Sequence, residues 1–178
     1  MHRSLRLLAT GLAVAACAAP ARAQFGSLNG TSATLSVALP MGTFDRLART
    51  GFGVSLRQAI GDPDAPWSGR GTFGFTYFKG NVTYDNIQFI ETTFDIVHRS
   101  STAFYQFGGL GLYNTRFTYA NVSGLGSQRA DQNFGLSGGV GINYAWGDTK
   151  GFLEFAATTV FTGSDNSAWF PVRIGIRF

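Results

Sequence analysis

The chain has 178 residues, 24 of them glycine, with 15% aromatic and only 13% charged side chains. No collagen period or proline excess accompanies that glycine, and no apolar run beyond the N-terminal segment is long enough for a membrane-spanning helix, which excludes a fibrous chain and a helical membrane protein. The formal charge of +4 carries no nucleic-acid footprint: Arg3, Arg6 and Arg22 lie in the first 23 residues, and the remaining basic residues are scattered and nearly balance the acids.

Met1 to Ala23 reads as a secretory signal. It has a basic start at Arg3 and Arg6, an apolar stretch from Leu7 to about Ala19, and the small-residue end Ala21-Arg22-Ala23 before Gln24. Cleavage after Ala23 leaves one domain, 24–178. Val14-Ala15-Ala16-Cys17 also resembles a lipobox, at which Cys17 would be cut and acylated. The better-formed site at Ala23, and the redundancy of a lipid anchor on a spanning chain, favour export with Cys17 lost. The mature chain then has no thiol for disulfides, thiolate catalysis or metal binding. With one mature histidine and dispersed acids, neither a metal nor a cofactor is expected.

From there the side chains alternate with period two, and no helical stripe competes. A first strand, about Ser32 to Leu39, points Leu35, Val37 and Leu39 one way and Thr34, Ser36 and Ala38 the other. Thr43 to Arg49 is predicted as a single capped helical turn covering the end of a barrel. A second strand, about Gly51 to Ile60, sends Phe52, Val54, Leu56 and Ile60 out and Arg57 in. The third, about Ser68 to Phe78, shows Phe73, Phe75 and Tyr77 outside and Arg70, Thr72 and Thr76 inside. The fourth, about Asn86 to Val97, opposes Ile90, Phe94 and Ile96 to Glu91, Thr93 and Asp95. The fifth, about Thr102 to Thr115, is ambiguous: Tyr105, Phe107 and Tyr113 oppose Phe104, Leu110 and Leu112.

The sixth, Asn133 to Trp146, is the clearest. Phe134, Leu136, Gly138, Val140, Ile142, Tyr144 and Trp146 share one face, and Asn133, Gly135, Ser137, Gly139, Gly141 and Asn143 the other. The seventh, Gly151 to Phe161, places Leu153, Phe155 and Phe161 out and Glu154, Ala156 and Thr158 in. The eighth closes the chain: Phe170, Val172, Ile174, Ile176 and Phe178 oppose Arg173, Gly175 and Arg177. Lipid offers no hydrogen-bond partner, so a sheet that spans it must close on itself and alternate lipid-facing with lumen-facing side chains. The expected fold is therefore an all-β, eight-stranded antiparallel up-and-down transmembrane barrel.

With both termini periplasmic, Gly61 to Pro66, His98 to Ser101 and Gly147 to Lys150 become periplasmic turns. Pro40 to Thr50, Lys79 to Asp85, Tyr119 to Asp131 and Gly163 to Ser167 become the external loops, expected to be the longer set. Aromatics collect at strand ends, as interfacial girdles require: Tyr77, Phe78, Tyr113, Phe117, Phe134 and Phe170 at one rim, Phe152, Trp146 and Phe178 at the other.

Arg57, Arg70, Glu91, Asp95, Glu154, Arg173 and Arg177 all point inward on this alternation. Charges in a narrow interior are costly unless paired, so four cations and three anions predict a polar, salt-bridged plug with no catalytic residue. An eight-stranded barrel is just wide enough for its own side chains. His98-Arg99-Ser100 has the spacing of a histidine–serine pair, as a barrel-type lipid A deacylase would use, but Asp95 lies on the opposite face and the next acid is Asp131. Gly108-Gly109-Leu110-Gly111 and Gly138-Gly139-Val140-Gly141 lack the following helix of a phosphate cradle and read as strand glycines that relieve crowding.

The terminal Ile174, Ile176 and Phe178, together with Leu39-Pro40-Met41-Gly42-Thr43-Phe44 and the return Gly51-Phe52-Gly53, resemble the small bacterial outer-membrane β-barrel family of the OmpA, OmpX and OmpW kind. The likeness covers Ser32 to Phe178, with Arg173 where the terminal signal often has glycine. It implies recognition of the terminal strand by the barrel assembly machinery. The sequence thus predicts a monomeric, non-enzymatic outer-membrane protein, surrounded by outer-membrane lipid and acting through envelope integrity or loop contacts. Loop 119–131 is the candidate for an extracellular partner. A small passive channel for minor or apolar solutes and a lipid-modifying enzyme are the alternatives.

Overall fold

The computed structural model describes residues 30–81, 83–120, 128–163 and 165–178. The signal segment, Cys17 and most of loop 119–131 lie outside them. Eight strands follow one another: β1 (Thr31–Met41), β2 (Ala48–Ile60), β3 (Trp67–Gly80), β4 (Tyr84–Arg99), β5 (Phe104–Tyr119), β6 (Gln128–Trp146), β7 (Thr149–Thr162) and β8 (Asp165–Arg177). Each pairs antiparallel with its neighbour, and β1 returns to β8, with Leu35 opposite Ile174 and Ser36 opposite Arg173. Closure removes the two sheet edges that hydrocarbon could not satisfy.

The alternation read from the sequence is the one the barrel uses. Leu35, Phe52, Phe73, Ile96, Leu136 and Ile174 stand on the outside, while Thr34, Arg57, Thr72, Asp95 and Glu154 are buried. The fifth strand resolves with Tyr105, Phe107 and Tyr113 buried and Phe104, Leu110 and Leu112 exposed. Its register explains why. Tyr105 pairs with Gly141 and Gly111 with Gly135, and the rings of Tyr105 and Tyr113 occupy the space where a Cβ on Gly141 or Gly135 would stand. The inner face of β6 is thus a glycine bed for the tyrosines of β5; of the glycines read as relieving crowding, Gly109, Gly111, Gly139 and Gly141 do so, whereas a Cβ on Gly108 or Gly138 would meet only ordinary contact.

Both described termini share one end, where Phe178 N–H donates to the Thr31 carbonyl at 2.9 Å. The connections there are 61–66, 100–103 and 147–148; at the other end they are 42–47, 81–83, 120–127 and 163–164. The expected contrast between short turns and long loops is therefore slight, because β4, β5 and β6 run on into what was read as loop. The 42–47 connection contains a 3-10 helix, Gly42–Arg46, which has no side-chain cap but buries Phe44. It covers that end of the barrel, as the sequence suggested.

Candidate functional site: a lumen closed in two layers

The lower layer, toward the termini, is built on Glu154. β7 delivers this carboxylate to the lumen with no exposure at all. Arg57 Nη1 of β2 donates to its Oε2 at 2.8 Å, Arg70 Nη1 of β3 to its Oε1 at 2.6 Å, and Tyr105 Oη of β5 to Oε1 at 2.8 Å. Arg173 Nη1 of β8 lies 3.7 Å from Oε2. Arg70 also binds Asp95 of β4 through Nε and Nη2, at 3.0 and 2.8 Å. Ser137 Oγ of β6 donates to the other Asp95 oxygen at 3.2 Å. Arg70 further lies 4.3 Å over the Phe107 ring. Seven strands are thus tied across the barrel interior, each by a group that alternation alone points inward.

The structure does not draw all seven predicted lumen charges into this network. Arg177 makes no ion pair among the described residues; its Nη2 donates to Asn143 Oδ1 at 2.8 Å, and its guanidinium lies 5.7 and 5.3 Å from the Tyr105 and Phe152 rings. Glu91 is 5% exposed, sits over Gly74 and has neither salt bridge nor hydrogen bond among the described residues. The predicted balance of four cations and three anions is locally an excess of arginine around Glu154 and Asp95. Sequence reasoning also missed Arg99, which enters the same end of the lumen from the last residue of β4.

The upper layer corrects the expectation of a polar interior throughout. Here Phe44, Phe78, Ile87, Phe89, Tyr113, Val160 and Trp169 form one buried cluster, edged by Leu47, Tyr84 and Phe117. Trp169 is its centre, with ring centroids 4.7 Å from Phe89, 5.6 Å from Phe78, 6.1 Å from Tyr113 and 6.2 Å from Phe44. Most of these contacts are edge-on or tilted, as aromatic quadrupoles prefer. Phe78, Tyr113 and Phe152, expected at the rims, are therefore lumen residues. They have the inward parity of their strands, and closing a narrow cylinder removes more water from them than the headgroup level would. The signal was present in β8, where two further steps of the Arg177, Gly175, Arg173 alternation reach Pro171 and Trp169.

His98 lies on the outer side of β4. Its ring is 4.3 Å from that of Trp67, and its Nδ1 is 3.1 Å from Gln106 Nε2. No carboxylate contacts it among the described residues, so the catalytic reading of His98 and Ser100 gains no orienting acid.

No family model matches the sequence, and no curated protein does. Solved structures do. Ail, the attachment invasion locus protein of Yersinia pestis, solved in complex with the heparin analogue sucrose octasulfate, superposes with a TM-score of 0.60 at 16% identity, over 83% of this chain and 96% of that one. Neisserial surface protein A gives 0.52 at 14% identity, over 83% and 96%. The N-terminal β-barrel domain of Pseudomonas aeruginosa OprF gives 0.50 at 13%, over 84% and 98%. The chain has the small outer-membrane barrel fold. At these identities the likeness is one of architecture. Its own exterior supplies the location: Phe52, Trp67, Phe73 and Leu35 are each more than three-fifths exposed, and a closed antiparallel barrel so dressed belongs in the outer membrane.

Proposed function

We propose that this chain is a non-enzymatic, monomeric outer-membrane barrel whose lumen is closed by its own side chains and whose role is structural or surface-binding. The observation that carries the reading is the stacking of two different closures in one lumen, the ion network on Glu154 and the aromatic cluster on Trp169. A channel would have to break both. Planar bilayer recording of the refolded protein is expected to show no large, steady conductance; such a conductance would replace this reading with that of a passive channel. Released fatty acid after incubation with lipopolysaccharide would replace it with the lipid enzyme.

The surface half of the reading rests on the rim above the aromatic layer. Arg46, Arg49, Lys79, Arg116 and Arg129 are exposed there beside Asp45 and Asp85; Arg129 is bridged to Asp131 at 2.5 Å, and Arg49 Nε donates to Asn81 Oδ1 at 3.1 Å. A modest basic excess on a rigid rim fits a sulfated or phosphorylated polyanion outside the cell. Retention on heparin that falls with salt supports this, and passage through the column unretained at low salt removes it. We further propose that the barrel assembly machinery reads strand β8, whose Ile174 and Ile176 face outward. Removal of Phe178 is expected to lower the amount of heat-modifiable barrel in the membrane fraction; an unchanged amount would remove that partner.

A further inference from the structure

The terminus end of the lumen opens into a cavity of about 40 Å³, and four guanidinium groups line it: Arg57, Arg70, Arg99 and Arg177. Among the described residues, no aspartate or glutamate does. The two nearest carboxylates of the network, Glu154 and Asp95, lie deeper and are already committed. Glu154 takes Arg57, Arg70, Arg173 and Tyr105, and Asp95 takes Arg70 and Ser137.

The charges at the mouth are consequently held by neutral groups. Arg99 Nη1 donates to Ser68 Oγ at 2.9 Å and to the Ala65 carbonyl at 3.4 Å, and Arg177 donates to Asn143. Neither makes a salt bridge among the described residues. Arg57, 3% exposed, has a buried Nε with no hydrogen-bond partner among the described residues. A guanidinium presents five donors in a fixed fork that matches the oxygens of a phosphate or carboxylate.

Arg99 and Arg177, bonded only to neutral groups, beside Arg57 and Arg70, which are engaged with the carboxylates below, give this small opening a positive lining suited to one small oxyanion. We propose that the periplasmic mouth of the barrel is a binding site for a single phosphate group, held by Arg99 and Arg177, with Arg57 and Arg70 adding positive charge from the floor. That group can be free phosphate or the headgroup of a lipid from the adjoining leaflet, since exposed Trp67 and Trp146 stand on the outer wall at this same end. The site holds whether or not the lumen above it conducts.

The test uses the full mature barrel refolded in an uncharged glycoside detergent, with inorganic phosphate titrated against chloride at equal ionic strength. Saturable line broadening of the phosphorus-31 signal, with a thermal midpoint that rises in phosphate, is the expected result. Arg99→Gln and Arg177→Gln are each expected to weaken binding by about tenfold or more, and Asn114→Ala, exposed on β5 away from the site, to leave it unchanged. The heat-modifiable gel shift establishes that each variant is folded; if Arg177→Gln does not fold, Arg99→Gln, whose partners are Ser68 and a carbonyl, carries the test. A second arm repeats the titration in nanodiscs with and without phosphatidic acid. Loss of phosphate binding only when that lipid is present assigns the headgroup, and equal binding assigns the free ion. No saturable response to phosphate in detergent, or one equally strong in both arginine variants, overturns the site.

Discussion

The two halves of this lumen solve one problem by opposite chemistry. Near the termini the barrel is filled by arginines and carboxylates that must meet at hydrogen-bond distance; four residues along the same strands it is filled by rings that need only fit. Glu154 is opposite Arg173 and Thr158 opposite Trp169, so the two centres lie roughly 13 Å apart along the strand. An ionic closure is directional and fails as a unit when one member is lost. An aromatic closure is a sum of contacts and loses them gradually. The difference teaches that a narrow barrel accepts either filling, provided each large side chain meets a small one across the sheet.

That contrast can be broken most severely at Glu154. Glu154→Gln leaves Arg57, Arg70 and Arg173 facing a neutral amide and is expected to cost about 3–5 kcal/mol, read as a lowered urea midpoint of the refolded barrel. Trp169→Ala removes the centre of the other layer and is expected to cost about 3–4 kcal/mol by the same assay. Their combination sharpens the comparison. With no shared partner and such a separation, Glu154→Gln and Trp169→Ala are expected to add within about 0.5 kcal/mol, whereas Glu154→Gln with Arg70→Met, inside one network, is expected to cost less than the sum by about 1–3 kcal/mol. Coupling across the halves would mean that the lumen is a single cooperative plug.

Smaller changes probe the parts. Gly141→Ala puts a methyl group where the Tyr105 ring lies, and about 1–3 kcal/mol of lost stability is expected. Between the layers Thr158 buries a hydroxyl with no hydrogen-bond partner among the described residues. Thr158→Val is accordingly expected to be neutral or stabilising by up to about 1 kcal/mol, and a clear loss would reveal a polar partner at the seam.

The outward face of the barrel was legible in the sequence because period two is local: Leu35, Val37 and Leu39, or Ile174 and Ile176, need no knowledge of their neighbours to be assigned together. The inward charges were legible for the same reason, and Arg57, Arg70, Asp95 and Glu154 were all placed by parity. What parity cannot report is who meets whom. Glu154 and Glu91 read alike along the chain, yet one gathers three arginines and the other none, because partnership depends on the register between strands distant in sequence. Strand β5, with rings on both faces, was undecidable alone; the span read from the sequence, Thr102 to Thr115, carried no charge to break the tie, and only the glycines of β6 opposite it gave the tyrosines room.

The sequence by itself determined a closed, eight-stranded barrel with an apolar exterior, since alternation and the absence of hydrogen-bond partners in hydrocarbon leave no other solution. The tertiary structure decided that the lumen is divided into an ionic and an aromatic layer, that Phe78, Tyr113 and Phe152 turn inward, and that Arg99 joins Arg57, Arg70 and Arg177 at one mouth. Those outcomes follow from closure, which fixes shear and register around the whole circumference and so sets the distances between side chains that no local pattern relates.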